Sequence, residues 1–255
     1  MEIQTLLLLC LAAFAAGFID AIVGGGGLVQ TPAGLILLPA LPVANVIGSL
    51  KIPSFTGTVF ASVQYLKKVS IQWKLLLVMM ALAVPSAYAG SMLLTCVSNS
   101  FMKPLLLVVL SLLAVYTYAK KNFGQHSDKS HSVGQQLLYA VLISVVIGFY
   151  DGFIGPGTGS FLVLAFIVLL GYDFLNASAH AKMVNLATNF GSIVLFALKG
   201  KILWTVALPM AACNGLGGFL GAKLAISKGN AFIRVFFLLI VIGTLVRFGW
   251  DVLKF

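Results

Sequence analysis

The sequence predicts an all-α polytopic membrane protein with two homologous halves, each with about four transmembrane segments plus a glycine-broken or re-entrant half-helix. Three observations support this fold class: an apolar composition, a series of membrane-length apolar runs, and a motif that recurs at a fixed distance. Of the 255 residues, 60% are hydrophobic and 9% are charged, and the mean hydropathy is +1.08. A soluble core could not bury that much apolar surface, so the chain belongs in a bilayer.

Most of the apolar runs reach the roughly 20 residues that cross a hydrocarbon core. They lie at 5–23, 28–40, 45–66, 73–97, 101–119, 135–154, 159–170, 175–198, 203–225 and 231–250. Two of them, 28–40 and 159–170, are shorter and follow glycine-rich stretches, which is typical of half-helices. The first run resembles a signal peptide, but its start carries Glu2 and no basic residue, so we interpret it as a membrane helix.

The net charge of +10 comes from basic residues in short loops and inside apolar runs. A nucleic-acid-binding protein would gather them in one solvated patch, so we expect no nucleic acid partner. Two stretches are clearly basic, and by the positive-inside rule we expect both to face the cytoplasm. They contain Lys67, Lys68 and Lys74 in one loop, and Lys120, Lys121 and Lys129 in the polar stretch 120–134.

The motif "GFIDAIVGGGG" at 17–27 recurs as "GFYDGFIGPGT" at 148–158, which places Asp151 opposite Asp20 at a shift of 151 − 20 = 131. Aspartate, asparagine and lysine are rare in membrane segments, so their coincidence over some seventy residues predicts two homologous halves. We therefore expect a first repeat at 1–119, a cytoplasmic linker at 120–134 and a second repeat at 135–255. The same gapless shift aligns further polar pairs: Asn45 with Asn176 and Lys51 with Lys182.

The glycines after each aspartate allow the chain to break at membrane depth, where unpaired backbone is tolerated only against protein or a water-filled cavity. The helix that follows such a break directs N–H groups and a positive dipole end inward, which suits an anion. Two halves with interrupted helices are typical of transporters that bind substrate between the repeats. The candidate site residues at the breaks are Gly25, Gly26, Gly27, Gly157, Thr158 and Gly159.

A longer apolar run follows the short run after each break, and each of these longer runs contains one lysine far from the polar loops. Lys51, Ser54 and Thr58 have the spacing of one helix face, and the shift pairs them with Lys182, Asn185 and Asn189. A charge at membrane depth usually faces a cavity or a partner, so this pattern predicts a small-anion site with two lysines and hydrogen-bond donors. The alternative is that each lysine forms an ion pair with Asp20 or Asp151 and ties helices together, or extends to the membrane surface.

Three further residues are candidates for coupling or for structure. Asp20 and Asp151 either titrate and reset the lysines or hold the glycine turns as hydrogen-bond acceptors. His180 is the shift partner of Ser49 (49 + 131 = 180), so only the second half carries a group that titrates near neutral pH. It either couples proton and anion binding or faces Asn176 as a satisfied core histidine.

The quoted motifs, together with "ASAHAKMVNLATNFGSIVLF" in the second half, resemble the TauE/SafE sulfite exporter family of bacterial inner-membrane permeases. The resemblance runs through nearly the whole chain. It implies a multi-pass inner-membrane protein that transports small sulfur-containing anions, such as sulfite or organosulfonates, without hydrolysing ATP. The sequence has no Walker A motif, which agrees with secondary transport.

Two other classes of protein stay open. An intramembrane enzyme is disfavoured because "GTGS" at 157–160 is not a nucleophile elbow, and we expect no catalytic residue, cofactor or metal site. A non-transporting membrane partner would leave two polar sites at membrane depth without a purpose. Small-residue faces fit a homodimer as well as packing within one chain. The sequence leaves a parallel and an inverted arrangement of the halves open.

Overall fold

The computed structural model describes residues 2–98 and 132–253, with Phe101, Leu105 and Val108 between them; of residue 234 and residues 237–253 it describes the backbone alone. The described residues form eight α-helices and no strand. Most of the predicted segment 101–119 and of the linker 120–134 lies outside the described residues.

The helices follow the predicted apolar runs closely. They are α1 (Ile3–Val23), α2 (Gly27–Leu37), α3 (Val43–Leu66), α4 (Trp73–Cys96), α5 (Val133–Phe153), α6 (Thr158–Leu170), α7 (Phe174–Leu198) and α8 (Trp204–Leu253). Within the described part of the chain, six helices are long and apolar enough to cross a membrane, and α2 and α6 are the two short ones. The all-α polytopic class is therefore confirmed.

One helix begins before its expected start, and another element contains two of the predicted runs. The helix α5 begins at Val133, inside the predicted linker, because Ser132 and Gln135 form a capping box: the Ser132 hydroxyl accepts from the Gln135 N–H, and the Gln135 side chain accepts from the Ser132 N–H. The last two apolar runs, 203–225 and 231–250, correspond to the two parts of α8, which are separated by the non-helical backbone of Gly229 (φ 71°, ψ −166°).

The molecule is apolar outside and polar at its centre. Large side chains such as Leu11, Leu77 and Leu208 are more than half exposed, whereas Lys182 and Asn189 are almost fully buried. In water this distribution would be unfavourable, but lipid solvates the apolar exterior at no cost. The interior therefore holds the groups that need partners, and function is to be sought there.

Equivalent helices start at nearly the same separation, which is 133 − 3 = 130 residues for α1 and α5. The starts of α2 and α6 (158 − 27), of α3 and α7 (174 − 43), and of α4 and α8 (204 − 73) all differ by 131 residues. This is the shift that aligns the sequence motifs, and it supports the predicted repeat.

The two predicted halves interlock. The helix α4 packs against α5 and α7, and α8 packs against α1 and α3. Glycines make these contacts close: a Cβ on Gly90 would lie 2.1 Å from the Phe149 carbonyl oxygen, and one on Gly217 would lie 2.1 Å from that of Phe14. The described helix α4 of the first predicted half thus packs on the second half, and α8 of the second half packs on the first.

The helices α3 and α7 run in opposite directions. The N–H of Leu203, which follows the end of α7, donates to Ser49 Oγ near the start of α3 (2.8 Å). The N–H of Gln72, which follows the end of α3, donates to His180 Nε2 near the start of α7 (3.2 Å). Of the two arrangements of the halves that the sequence leaves open, this direction agrees with an inverted repeat.

Candidate functional site

A small cleft lies between the predicted halves at the two glycine breaks, with a cavity volume of about 50 Å³. A cavity needs at least ~10–15 Å³ to hold one water molecule, so this space suits a few waters or one small ion. Its wall contains most of the predicted site residues: Asp20, Gly26, Gly27, Lys51, Ser54, Asp151, Gly157, Thr158, Gly159, Asn185 and Asn189. Four other predicted site residues are described but do not line the cleft: Gly25, Thr58, His180 and Lys182.

The two glycine breaks cross each other beside the cleft. The Ser160 N–H donates to the Gly24 carbonyl oxygen (3.0 Å), and the Ser160 hydroxyl donates to the carbonyl oxygen of Val23 (3.1 Å). The backbones are so close that a Cβ on Gly159 would lie 2.5 Å from the Gly24 oxygen. Gly24 itself has φ 79°, a left-handed conformation that glycine adopts without strain. The starts of α2 and α6 are therefore brought together at one point.

Lys51 forms an ion pair with Asp151 of the other predicted half. Its Nζ lies 2.9 Å from Asp151 Oδ2 and donates a hydrogen bond to the Asp151 carbonyl oxygen (2.8 Å). Both side chains are less than one-tenth exposed and belong to the wall of the cleft. This pair joins α3 to the end of α5 and places a lysine and a carboxylate beside the cavity.

The equivalent pair joins Lys182 to Asp20. Lys182 Nζ lies 2.7 Å from Asp20 Oδ2 and also bonds the Asp20 carbonyl oxygen. The Gly26 N–H donates to Asp20 Oδ1 (3.3 Å), so the carboxylate also holds the first glycine turn. Asp20 faces the cleft, whereas Lys182 is 1% exposed and lies behind the aspartate.

The pairing corrects the expected charge of the site. Two unpaired lysines would make the cleft strongly positive, but each is neutralised by an aspartate from the other half. The physical reason is the cost of a buried, unpaired charge, which a partner carboxylate removes. Of the two alternatives weighed for the lysines, the ion pair is the one that the structure shows, and only Lys51 also faces the cavity.

Three of the four predicted hydrogen-bonding residues on α3 and α7 line the cleft, and one does not. Ser54, Asn185 and Asn189 line the cleft, but the Thr58 hydroxyl donates to the Ser54 carbonyl oxygen (2.7 Å) within the helix. The Asn189 amide donates to Asn185 Oδ1 (3.1 Å). No described residue accepts from the amide nitrogen of Asn185, so it is available to a ligand.

Two amides that we did not predict complete the wall. Asn214 Nδ2 donates to Gln30 Oε1 (2.7 Å), and Gln30 Nε2 donates to the Leu50 carbonyl oxygen (2.9 Å) and to Ser54 Oγ (3.3 Å). Thr31 lies beside them. The signal that the sequence offers for both residues is an uncharged polar side chain inside an apolar run, which for Gln30 comes just after a glycine break.

His180 is a satisfied histidine away from the cleft. Its Nδ1 lies 2.8 Å from the Asn176 carbonyl oxygen, and its Nε2 accepts the Gln72 N–H. Because a backbone N–H must be accepted by a bare ring nitrogen, Nδ1 carries the proton and the ring is neutral. The ring also packs edge-on against Tyr172, with the centroids 4.8 Å apart. Of its two expected roles, this position agrees with the structural one.

Comparison with known proteins gives consistent matches. The family model described as "Sulfite exporter TauE/SafE" matches residues 9–248. The chain is 36% identical over 232 residues to a "Probable membrane transporter protein" of Haemophilus influenzae, covering 91% of this chain and 89% of that relative. It is 34% identical over 247 residues to "Probable membrane transporter protein ORF9" of Sinorhizobium sp. (97% and 93% covered), and 31% identical over 222 residues to "Probable membrane transporter protein YfcA" of Escherichia coli K12 (87% and 81%). No solved structure matches the chain significantly.

Proposed function

Because the chain belongs to the TauE/SafE sulfite exporter family, we propose that it is a secondary transporter, and an exporter, of small sulfur-containing anions such as sulfite or organosulfonates. It is a multi-pass membrane protein with bacterial relatives that are named as transporters, which indicates the inner membrane. The observation that carries the proposal is the cleft between the predicted halves, in which Lys51, the amide group of Asn185 and the starts of two helices surround a space large enough for one small ion.

The anion would bind to Lys51 and to neutral donors. The ammonium group supplies charge, and Ser54 and Asn185 supply hydrogen bonds that also suit the oxygens of a sulfite or sulfonate group. The starts of α2 and α6 add the positive ends of two helix dipoles. The small volume favours an anion with a compact head group over a bulky one.

The interlocked halves suit an alternating-access mechanism. In transporters with inverted repeats, one half moves against the other around a site at their interface. Here both ion pairs and the crossing of Gly24 with Ser160 connect the predicted halves around the cleft. A homodimer stays a prediction from small-residue faces.

The distribution of lysines supports one orientation. Asn230 Oδ1 accepts the Leu175 N–H, so the kink in α8 lies on the same side as the start of α7 and the loop after α3. We call this side A. Among the described residues it carries Lys67, Lys68, Lys74, Lys223 and Lys228, whereas the opposite side, side B, carries Lys199 and Lys201. By the positive-inside rule side A faces the cytoplasm.

Transport by the purified protein in liposomes tests the proposal. We expect uptake of sulfite and of methanesulfonate down a concentration gradient, and little uptake of chloride or acetate under the same conditions. Liposomes that contain the Lys51→Met variant are the matched control for leakage. Permeation of all four anions at the rate of empty liposomes would overturn the proposal and favour a non-transporting membrane partner.

A further inference from the structure

The two buried ion pairs differ in how their carboxylates are held. Asp20 accepts a hydrogen bond from Lys182 and another from the Gly26 N–H. Asp151 Oδ2 lies 2.9 Å from Lys51 Nζ, but no described residue donates a well-directed hydrogen bond to this oxygen. The hydrogen bond of Lys51 instead goes to the carbonyl oxygen of Asp151. Protonation of Asp151 would therefore give up fewer contacts than protonation of Asp20.

The Asp151 side chain is also more buried than the Asp20 side chain. The Asp151 side chain is 4% exposed, and that of Asp20 is 19% exposed. The carboxylate of Asp151 is therefore less accessible to water than that of Asp20. The Asp151 carboxylate thus has Lys51 as its one charged partner among the described residues. Lys51 is also the lysine that lines the cleft.

The charge balance of the cleft sets a condition on anion binding. With both lysines paired, the site has no spare positive charge, so an entering anion adds an uncompensated negative charge at membrane depth. A proton taken up together with the anion removes this cost. If the proton binds the Asp151 carboxylate, the anion can replace that carboxylate as the partner of Lys51.

We propose that Asp151 is the proton-coupling group of this transporter: it binds one proton when a monovalent anion takes its place beside Lys51. The proton comes from water and bonds to a carboxylate oxygen of Asp151, while Lys51 keeps all its protons. The site is neutral before and after, so one proton accompanies one monoanion and transport is electroneutral. This inference rests on the proposed anion transport.

Few other charged or titratable groups act on Asp151. From α3 it faces Lys51, and its neighbour in sequence is Tyr150, whose hydroxyl donates to the Pro156 carbonyl oxygen. Of the helices packed on α5, α6 has no titratable side chain. The helix α4 carries Lys74, Tyr88 and Cys96, and α7 carries His180 and Lys182, of which Lys182 is paired with Asp20. Lys51 is the one charged side chain within ion-pair distance of Asp151 in the described part of the chain.

The pH dependence of methanesulfonate binding tests the inference. A sulfonate stays fully ionised over this range, so any pH dependence comes from the protein. For the wild type we expect the affinity to rise as the pH falls from about 8 to about 5.5, by up to about tenfold per pH unit for one coupled proton. In Asp151→Asn the affinity should be high and independent of pH, because Lys51 no longer has a competing carboxylate.

Asp20→Asn is the matched control, because Asp20 occupies the equivalent position in the other pair but holds the lysine that lies outside the cleft. It should retain the pH dependence of the wild type, whatever its absolute affinity. A pH dependence that persists in Asp151→Asn, or that disappears in Asp20→Asn instead, would overturn the inference.

Proton movement in the wild type gives a measurement that needs no variant. In liposomes with an internal pH dye, an inward methanesulfonate gradient should acidify the interior, without creating a membrane potential. Methanesulfonate uptake without acidification overturns the proton coupling and leaves the proposed function intact. Absence of uptake of every sulfur-containing anion by the wild type overturns the proposed function, and the inference with it.

Discussion

At the scale of single residues, Lys51 and Lys182 have equivalent positions in the sequence but different surroundings. The Lys51→Met variant removes the charge in the cleft and leaves Asp151 buried without a partner. We expect loss of anion transport together with a loss of stability, on the order of 3–5 kcal/mol as is typical of a broken buried pair. Transport assays in liposomes and thermal unfolding in detergent measure the two effects.

A double variant separates these effects. Lys51→Met with Asp151→Asn has no buried charge at this pair, so stability should recover while transport stays absent. The equivalent double variant, Lys182→Met with Asp20→Asn, removes the pair whose lysine lies outside the cleft and should retain more transport. Equal transport by the two double variants would contradict the assignment of Lys51 as the anion-binding lysine.

Gln30 and Asn214 form an uncharged part of the wall. Gln30→Met keeps most of the side-chain volume but removes the bonds to Asn214 and Ser54. We expect anion affinity to fall about tenfold, which corresponds to roughly 1.4 kcal/mol and to one or two hydrogen bonds. Adding Asn214→Ala to this variant should cost little more, because the two amides act as one unit. Fully additive effects on affinity would show that they act independently.

His180 is predicted to stabilise the fold and to leave transport unaffected by its titration. His180→Gln removes the ring nitrogen that accepts the hydrogen bond from the Gln72 N–H. We expect a loss of about 1–3 kcal/mol of stability because this N–H is left unpaired. The pH dependence of anion binding should match that of the wild type, since the ring lies outside the cleft. If the variant lost that pH dependence, His180 would belong to the coupling mechanism after all.

At the scale of elements, the two broken helices work as one crossing. In Gly159→Ala the added Cβ would meet the backbone of Gly24 at 2.5–2.6 Å, and backbone atoms of two helix breaks cannot move aside easily. We expect a cost of about 1–3 kcal/mol and a strong loss of transport, because the starts of α2 and α6 would be pushed apart. Gly134→Ala, where no atom lies within 4 Å of the new Cβ, is the matched control. Transport at the wild-type rate in Gly159→Ala would contradict the role of this crossing.

At the scale of the whole molecule, the cleft is displaced from the centre of the predicted repeat. Ile47, Leu50 and Lys51 line it near the start of α3, on side B. Their shift partners, Ser178, Ala181 and Lys182, are described residues that do not line it. An inverted repeat in which one end of the site has more space than the other is typical of one state of an alternating-access cycle. In the proposed orientation, this space lies towards the side opposite the cytoplasm.

Cysteine labelling checks this direction. In a chain from which Cys10, Cys96 and Cys213 have been removed, Ile47→Cys should react with a membrane-impermeant thiol reagent added outside the cell. Ser178→Cys, its shift partner, should react far more slowly. Methanesulfonate should slow the labelling of Ile47→Cys because it occupies the same space. Faster labelling of Ser178→Cys from outside would contradict the predicted orientation.

The fold class, the boundaries of most described helices to within a few residues and a polar site at the glycine breaks can be predicted from the sequence. Apolar runs of membrane length specify helices because lipid offers no partner for backbone groups. The short runs after the glycines form α2 and α6, and the cleft is lined by Lys51, Ser54, both aspartates and the motif glycines Gly26, Gly27 and Gly157. These features follow from local composition and spacing, which a single sequence contains.

Which groups meet across the predicted halves depends on how the helices pack. The tertiary structure joined Lys51 to Asp151 and Lys182 to Asp20, placed His180 against Gln72, and brought Gln30 to Asn214 over 184 positions of chain. It also showed the opposite directions of α3 and α7. Pairings of this kind depend on how distant helices pack and on the cost of burying charge, and neither can be deduced from the spacing of residues along one helix.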